Sequence, residues 1–171
     1  MPIRLAQLNQ LDQDAFAELL GGIFEHSPWV ARQAWTQRPF ARITALHDTM
    51  CRAVADAGET AQLALIRAHP TLAGKAAIRG ELTPASSSEQ SGAGLGECSA
   101  EEYASITALN RAYEERYGFP FILAVRGHTR QSIIAQMRSR IGNTHDEELA
   151  QALLQIERIA GFRLADTIRE D

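Results

Sequence analysis

Apolar residues recur along the chain at intervals of three and four, the repeat that gathers side chains on one face of an α-helix. After Asp12, a candidate N-cap, Phe16, Leu19, Leu20, Ile23 and Phe24 follow the i, i+3, i+4, i+7, i+8 rule and predict a first helix. Ser27 before Pro28 is an N-cap with proline at the first helical position, opening a short helix to about Gln37 that Pro39 interrupts. Ile43, Leu46, Met50 and Val54 form a third stripe stopped by Gly58, and Thr60 is expected to cap a helix carrying Leu63 and Ile66 up to His69. Pro70 ends that run. A residue before proline is pushed out of helical geometry, so His69 is expected at a helix end with its ring free to face a cleft.

Residues 71–98 are poor in large apolar side chains and hold Gly74, Gly80, Pro84, Gly92, Gly94 and Gly96. The pattern predicts a long functional segment containing one short helix, because structureless loops beyond about 12 to 15 residues are uncommon unless they bind or cover something. Ser99 to Glu102 has capping-box spacing and launches a helix with Tyr103, Ile106, Leu109 and Tyr113 on its buried side, ended by Gly118. The apolar run Phe119 to Val125 has no partner strand in view and reads as an extended buried segment or a helix start. Ile133, Ile134, Met137 and Ile141 predict a further helix ended by Gly142. A second capping box, Thr144 to Glu147, opens a long last helix with the stripe Leu149, Leu153, Ile156, Ala160, Leu164. The expected fold is all-α, a single compact domain over residues 1–171 with seven or eight helices.

Composition narrows the function. With 45% hydrophobic and 22% charged residues and a formal net charge of -4, the chain has the make-up of a soluble globular protein and no basic field for nucleic acid. Cys51 and Cys98 form no CxxC pair or Cys/His cluster, so neither a disulfide framework nor a structural zinc site is expected. No apolar window approaches the roughly 20 residues that span a bilayer, and Met1 to Leu5 lacks a secretory pattern. A cytoplasmic protein without membrane or nucleic-acid partners is the expectation.

The chemistry-bearing residues lie around the glycine-rich segment. His69-Pro70 is followed about twenty positions later by Ser86-Ser87-Ser88-Glu89-Gln90, which pairs a group that titrates near neutral pH with a carboxylate and an amide. His69 reads either as a histidine that ends a helix on a carbonyl or as a proton donor; Glu89 reads either as the third residue of a capping box on Ser86 or as the partner that orients the acid. Arg163 falls on the buried line of the last helix, where a guanidinium needs a buried Asp or Glu or a ligand carboxylate. His47 shares a stripe with Met50 and Val54 and reads as a core or interface histidine, and His26 and His128 are secondary candidates that helix-start or loop bonding explains equally well. No HExxH, calcium loop, phosphate-binding glycine loop or GxSxG elbow occurs, so no metal, nucleotide or serine-hydrolase chemistry is expected.

Taken together, Phe24-Glu25-His26-Ser27-Pro28-Trp29, Arg38-Pro39-Phe40, Ala68-His69-Pro70, Ser86 to Gln90 with Ala93-Gly94-Leu95, Leu109-Asn110-Arg111-Ala112-Tyr113, Phe119-Pro120-Phe121-Ile122 and Arg163-Leu164 resemble the 2-oxo-4-hydroxy-4-carboxy-5-ureidoimidazoline (OHCU) decarboxylase family over nearly the whole length. The resemblance implies an all-helical, cofactor-free carboxy-lyase, a homodimer, that converts this small ureidoimidazoline to S-allantoin and CO2 as the last step from urate. By the same carry-over His69 is the general acid and Glu89 assists it. Pro70, Ser86, Ser87, Ser88, Gln90, Phe121, Ile122, Leu123, Ala124 and Val125 line the substrate, several through main-chain groups, and Arg163 is the anion-contacting arginine. Thr71 departs from the family, in which many members have Asp after His-Pro. Two other readings stand beside this one: a hydrolase of a related ureide in which His69 activates water, and a noncatalytic helical ligand-binding or adaptor protein.

Overall fold

The computed structural model describes residues 1–170, and helices dominate them. Ten α-helices follow one another among these residues: α1 (Leu5–Leu8), α2 (Gln13–Leu20), α3 (Pro28–Trp35), α4 (Ile43–Asp56), α5 (Glu59–Ala68), α6 (Lys75–Ile78), α7 (Pro84–Gly92), α8 (Ala100–Tyr117), α9 (Arg130–Arg140) and α10 (His145–Thr167). Two two-residue strands, β1 (Ile3–Arg4) and β2 (Ile168–Arg169), pair in parallel. None of the helices is long and apolar enough to cross a membrane. The predicted fold class, all-α, is the observed one.

The chain divides into two units, Met1–Ala68 with Ile156–Asp171, and His69–Gln155. In the first, α2 packs on α3 and α3 on α4, with Phe16, Leu20, Val30, Leu46 and Met50 among the fully buried side chains. Asp12 caps α2 by accepting from the Ala15 amide at 2.8 Å, as predicted, but α2 ends at Leu20, so Leu19 is 39% exposed and Ile23 and Phe24 are buried in the turn beyond it. Ser27 precedes α3 with Pro28 in its first turn, though its hydroxyl donates to the Glu25 carbonyl rather than capping the helix. Gly58, at φ +88°, stops α4, and its carbonyl accepts from the Gln62 amide at the start of α5. Thr60 therefore lies inside α5 and does not cap it.

The second unit holds α6 to α9, the start of α10 and an aromatic core. Tyr113 stacks edge-on to Phe121 with ring centroids 5.3 Å apart and meets Tyr117 at 4.5 Å. Both predicted capping boxes form: Ser99 with Glu102 at the head of α8, and Thr144 with Glu147 at the head of α10. Residues 71–98 are more helical than predicted, because α6, α7 and a 3-10 turn at Leu95–Glu97 occupy most of them. The buried stripe of α8 is Ile106, Asn110, Tyr113 and Tyr117, while Tyr103 is 40% exposed. That of α10 is Glu148, Ala152, Gln155, Ile156, Ile159, Ala160, Arg163 and Leu164, leaving Leu149 and Leu153 half-buried at its flank.

Candidate active site

Pro70 has no N–H to give a helix and keeps its predecessor out of helical geometry, so α5 ends at Ala68 and His69 follows directly. The imidazole is 7% exposed and its Nε2 is shielded from solvent. Residues 71–74 then reverse the chain: the Gly74 amide donates to the Thr71 carbonyl, and Ala73 sits at φ +50°, uncommon for a residue with a side chain. A Cβ on Gly74 would lie 2.9 Å from the Thr71 Cβ, so the turn closes only around glycine. Side chains from two helices hold it. The Ala73 amide donates to Gln90 Oε1 at 3.0 Å, Asn110 Nδ2 donates to the Leu72 carbonyl at 2.9 Å, and Thr71 Oγ1 donates to Glu114 Oε1 at 3.0 Å. The last bond accounts for the departure at Thr71: an Asp here would face the Glu114 carboxylate with its own.

Thr83, not Ser86, caps α7, accepting from the Ser86 amide at 3.3 Å ahead of Pro84 in the first turn. The alternative in which Glu89 closes a capping box on Ser86 is therefore excluded, and Glu89 lies a turn further in. Helical phase puts Ser86, Glu89, Gln90 and Ala93 on one side of α7. Ser86 and Gln90 are buried and Glu89 half-buried, whereas Ser87 and Ser88 are exposed. Because Gln90 bonds to Ala73, the acid-bearing α7 is anchored to the turn that leaves His69. A groove of about 470 Å³ opens beside this junction, lined by Ala73, Ser87 and Gln90 and by apolar side chains that include Leu82 and Leu95. Cys98 also lines it, but burial, then the Glu102 charge, push its thiol above the ordinary range, which suits it poorly to nucleophilic work.

Phe119 to Val125 is the extended buried segment, with no helical or strand ladder to satisfy its main chain. Buried polar side chains take up that role in part: Arg140 Nη1 donates to the Ile122 carbonyl at 2.6 Å, and the Ala124 amide donates to Gln155 Oε1 at 3.1 Å. Arg140 is itself held by Glu148, which is fully buried and also accepts from Tyr113 Oη at 2.6 Å and Asn143 Nδ2 at 2.9 Å. In the other unit, Arg163 is interior as predicted, 5% exposed. Its Nη1 donates to Glu25 Oε2 at 2.7 Å and to the Gly22 carbonyl at 2.8 Å. Glu25 is the buried acid that the position of Arg163 calls for.

Of the other histidines singled out from the sequence, two have structural partners and the third faces solvent. His47 Nε2 bonds the Glu157 carbonyl at 2.7 Å, His128 Nδ1 meets Ser132 Oγ in the first turn of α9, and the side chain of His26 is 67% exposed. Asn110, Glu114, Arg140, Glu148, Gln155 and Glu25 were not singled out from the sequence as site-bearing. Helical phase could have found three of them, since Asn110 is on the Ile106 to Tyr117 stripe and Glu148 and Gln155 share one line with Arg163 on α10. Among the described residues no three His, Cys, Asp or Glu side chains are grouped to hold a metal ion.

A shielded imidazole thus precedes a clamped turn that is tied to α7, the helix that carries Glu89 and the buried Gln90, in a helical protein. The family model for OHCU decarboxylase matches residues 9–165, and the chain belongs to that family. It is 42% identical over 164 residues to the 2-oxo-4-hydroxy-4-carboxy-5-ureidoimidazoline decarboxylase of Haloferax volcanii, covering 96% of this chain and 95% of that protein. Its fold is similar to the crystal structure of (S)-allantoin synthase, with a TM-score of 0.79 and 29% identity over 97% of this chain and 54% of that one. It is also similar to OHCU decarboxylase crystallised in the presence of (S)-allantoin, with a TM-score of 0.68 and 25% identity over 90% of this chain and 96% of the other.

Proposed function

We propose that this protein decarboxylates OHCU to S-allantoin and CO2, the last step from urate to allantoin, with His69 as general acid and Glu89 assisting. The observation that carries the activity is the family match across 157 of the chain's positions, residues 9–165, in both units. The same match supports reading residues 1–171 as a single functional domain. Of the finer expectations, the homodimer rests on the resemblance alone and the cytoplasmic location on composition alone.

The departing carboxylate is attached to C4, next to the C5=N bond, so the electron pair left by CO2 forms a C4=C5 double bond while the imine nitrogen takes up a proton. No electron sink from outside the substrate is needed. The resulting enol receives a proton on one face of C5 and loses one from the C4 hydroxyl, giving the ketone and a single stereoisomer. In this scheme His69 delivers the proton at C5 or polarises the C4 hydroxyl, which as general acid catalysis is worth about 10² to 10⁴-fold. Glu89 orients it or the hydroxyl. Ser86 and Gln90 on the buried side of α7, with Pro70 and main-chain groups of Phe121 to Val125, hold the ring, and the apolar segment keeps water from the developing charge. Ser87 and Ser88, being exposed, serve through the main chain. For Arg163 we retain a part in anion recognition, with Glu25 fixing its guanidinium. A tight grip on the leaving carboxylate would stabilise the ground state and oppose departure.

The test supplies freshly generated OHCU to the purified protein and follows both CO2 release and the circular dichroism of the product. Stereospecific allantoin formed with stoichiometric CO2 is expected. Consumption of the substrate without CO2 would favour the ureide hydrolase, and no rate above the spontaneous one would leave only the binding protein.

A further inference from the structure

Asn110 belongs to the Leu109 to Tyr113 motif, yet no step above uses it. It occupies the centre of the buried stripe of α8, 7% exposed, where its neighbours on the stripe are Ile106 and Tyr113. Its Nδ2 donates to the Leu72 carbonyl, three residues after His69, while its Oδ1 is buried and accepts from no donor among the described residues. A buried amide with half its capacity unused is a poor stabiliser, since an apolar side chain of the same shape would avoid the unmet acceptor altogether. The bond it does make is therefore what the position is for.

That bond acts on a turn that would not hold its shape alone. Ala73 is in the left-handed region, and Gly74 is packed against Thr71. Gln90 fixes the turn from α7 through the Ala73 amide, and Thr71 ties it to Glu114 at a partly exposed position. Asn110 supplies the buried attachment on α8, at the residue between the other two. We propose that Asn110 is a positioning residue for His69: by holding the Leu72 carbonyl it sets where the turn, and with it the imidazole, stands. The proposal deepens the decarboxylase reading and rests on it for its kinetic arm.

Asn110→Leu removes the donor while keeping the branched shape of the side chain, at a somewhat larger volume. The expected result is a cooperative thermal melt close to that of the parent, with kcat lowered about 10 to 100-fold and KM changed less than about threefold, the scale that small displacements of a reacting group produce. The pH profile of kcat should shift, and in a histidine-labelled sample the ring resonances of His69, assigned with His69→Asn, should move while those of the other four histidines stay. Asn110→Ser, whose hydroxyl is too short to reach the carbonyl, serves in its place if Asn110→Leu does not fold. A kcat within twofold of the parent, or lower stability with unchanged kcat per folded molecule and unmoved His69 resonances, overturns the proposal. Should the parent release no CO2, the decarboxylase reading fails by itself, and the resonances alone then uphold or overturn the positioning role.

Discussion

Glu148 and Arg140 offer the sharpest test of how the second unit supports its extended segment. The pair is buried, with Nη2 to Oε1 at 2.9 Å, and Arg140 Nη1 also holds the Ile122 carbonyl. In Glu148→Gln the amide oxygen can still accept, but Arg140 keeps a buried charge with no counter-charge at that oxygen, which costs about 3–5 kcal/mol. Arg140→Met leaves the Glu148 carboxylate charged with Tyr113 and Asn143 as donors and strips the Ile122 carbonyl of its partner. The orphaned carbonyl adds about 1–3 kcal/mol, which takes this variant near the limit of a fold stable by about 5–15 kcal/mol. The double variant holds neither charge and lacks only the carbonyl's partner, so its cost falls to about 1–3 kcal/mol. Urea unfolding of the four proteins at pH 7 closes the cycle. If the double variant loses what the two singles lose together, within about 0.5 kcal/mol, the pair is not coupled and the reasoning fails. Activity separates structure from site: the double variant regains stability over Arg140→Met but not the Ile122 tether, so its turnover should stay low.

His69→Asn and Glu89→Gln should each lower turnover at least about 10²-fold with helicity preserved, read by single-turnover kinetics alongside far-ultraviolet circular dichroism. Arg163→Ala should strip the buried Glu25 carboxylate of its counter-charge and lower the melting temperature as well as weaken substrate capture, whereas Arg163→Ala with Glu25→Gln recovers part of the stability and none of the capture. Burial, reinforced by the Glu148 carboxylate that accepts its hydrogen bond, raises the Tyr113 phenol above its ordinary value of 10.0. The group is neutral in both states below pH 10, so its contribution is complete there and is lost as pH rises beyond it; alkaline unfolding should be steeper in the parent than in Tyr113→Phe. Burial pushes the Cys51 thiol up to about 12, so at pH 8 it should react with a disulfide reagent about 10³-fold more slowly than an unperturbed thiol.

Local signals were legible where a single chemical rule decides the outcome. The caps at Asp12, Ser99 and Thr144, the stop at Gly58 and the position of His69 just past α5 all follow from hydrogen-bond geometry within four residues. The segment 71–98 was misjudged because small residues say little about helix content when neighbours supply the packing: α7 forms from Pro-Ala-Ser-Ser-Ser-Glu-Gln-Ser-Gly with Thr83 as its cap. Leu19, Tyr103, Leu149 and Leu153 show a different limit. Each fits an apolar repeat, but a helix that ends early or turns a few tens of degrees hands the buried position to a neighbour, and no local rule fixes that rotation.

On α8 and α10 the neighbour that gains the buried position is polar. Reading apolar residues alone set the stripes at Tyr103 and Leu109 and at Leu149 and Leu153, and so passed over Asn110, Glu148 and Gln155, which occupy the true faces. Arg163 already carried the correction, since a helix that buries Arg163 and Ile156 must also bury Gln155 or Ala152 and, a turn earlier, Glu148. Each of these buried polar side chains bonds the main chain of a non-helical segment, or holds the side chain that does: Asn110 at Leu72, Gln155 at Ala124, Glu148 through Arg140 at Ile122. Helices satisfy their own backbones, so a helical protein that exposes main-chain groups to a ligand must fix irregular segments by other means, and buried amides and ion pairs are what this chain uses. Polar residues in phase with a core stripe therefore point to the segments they hold, and in the second unit these are the turn that follows His69 and the Phe119 to Val125 run, from which we propose part of the site is built.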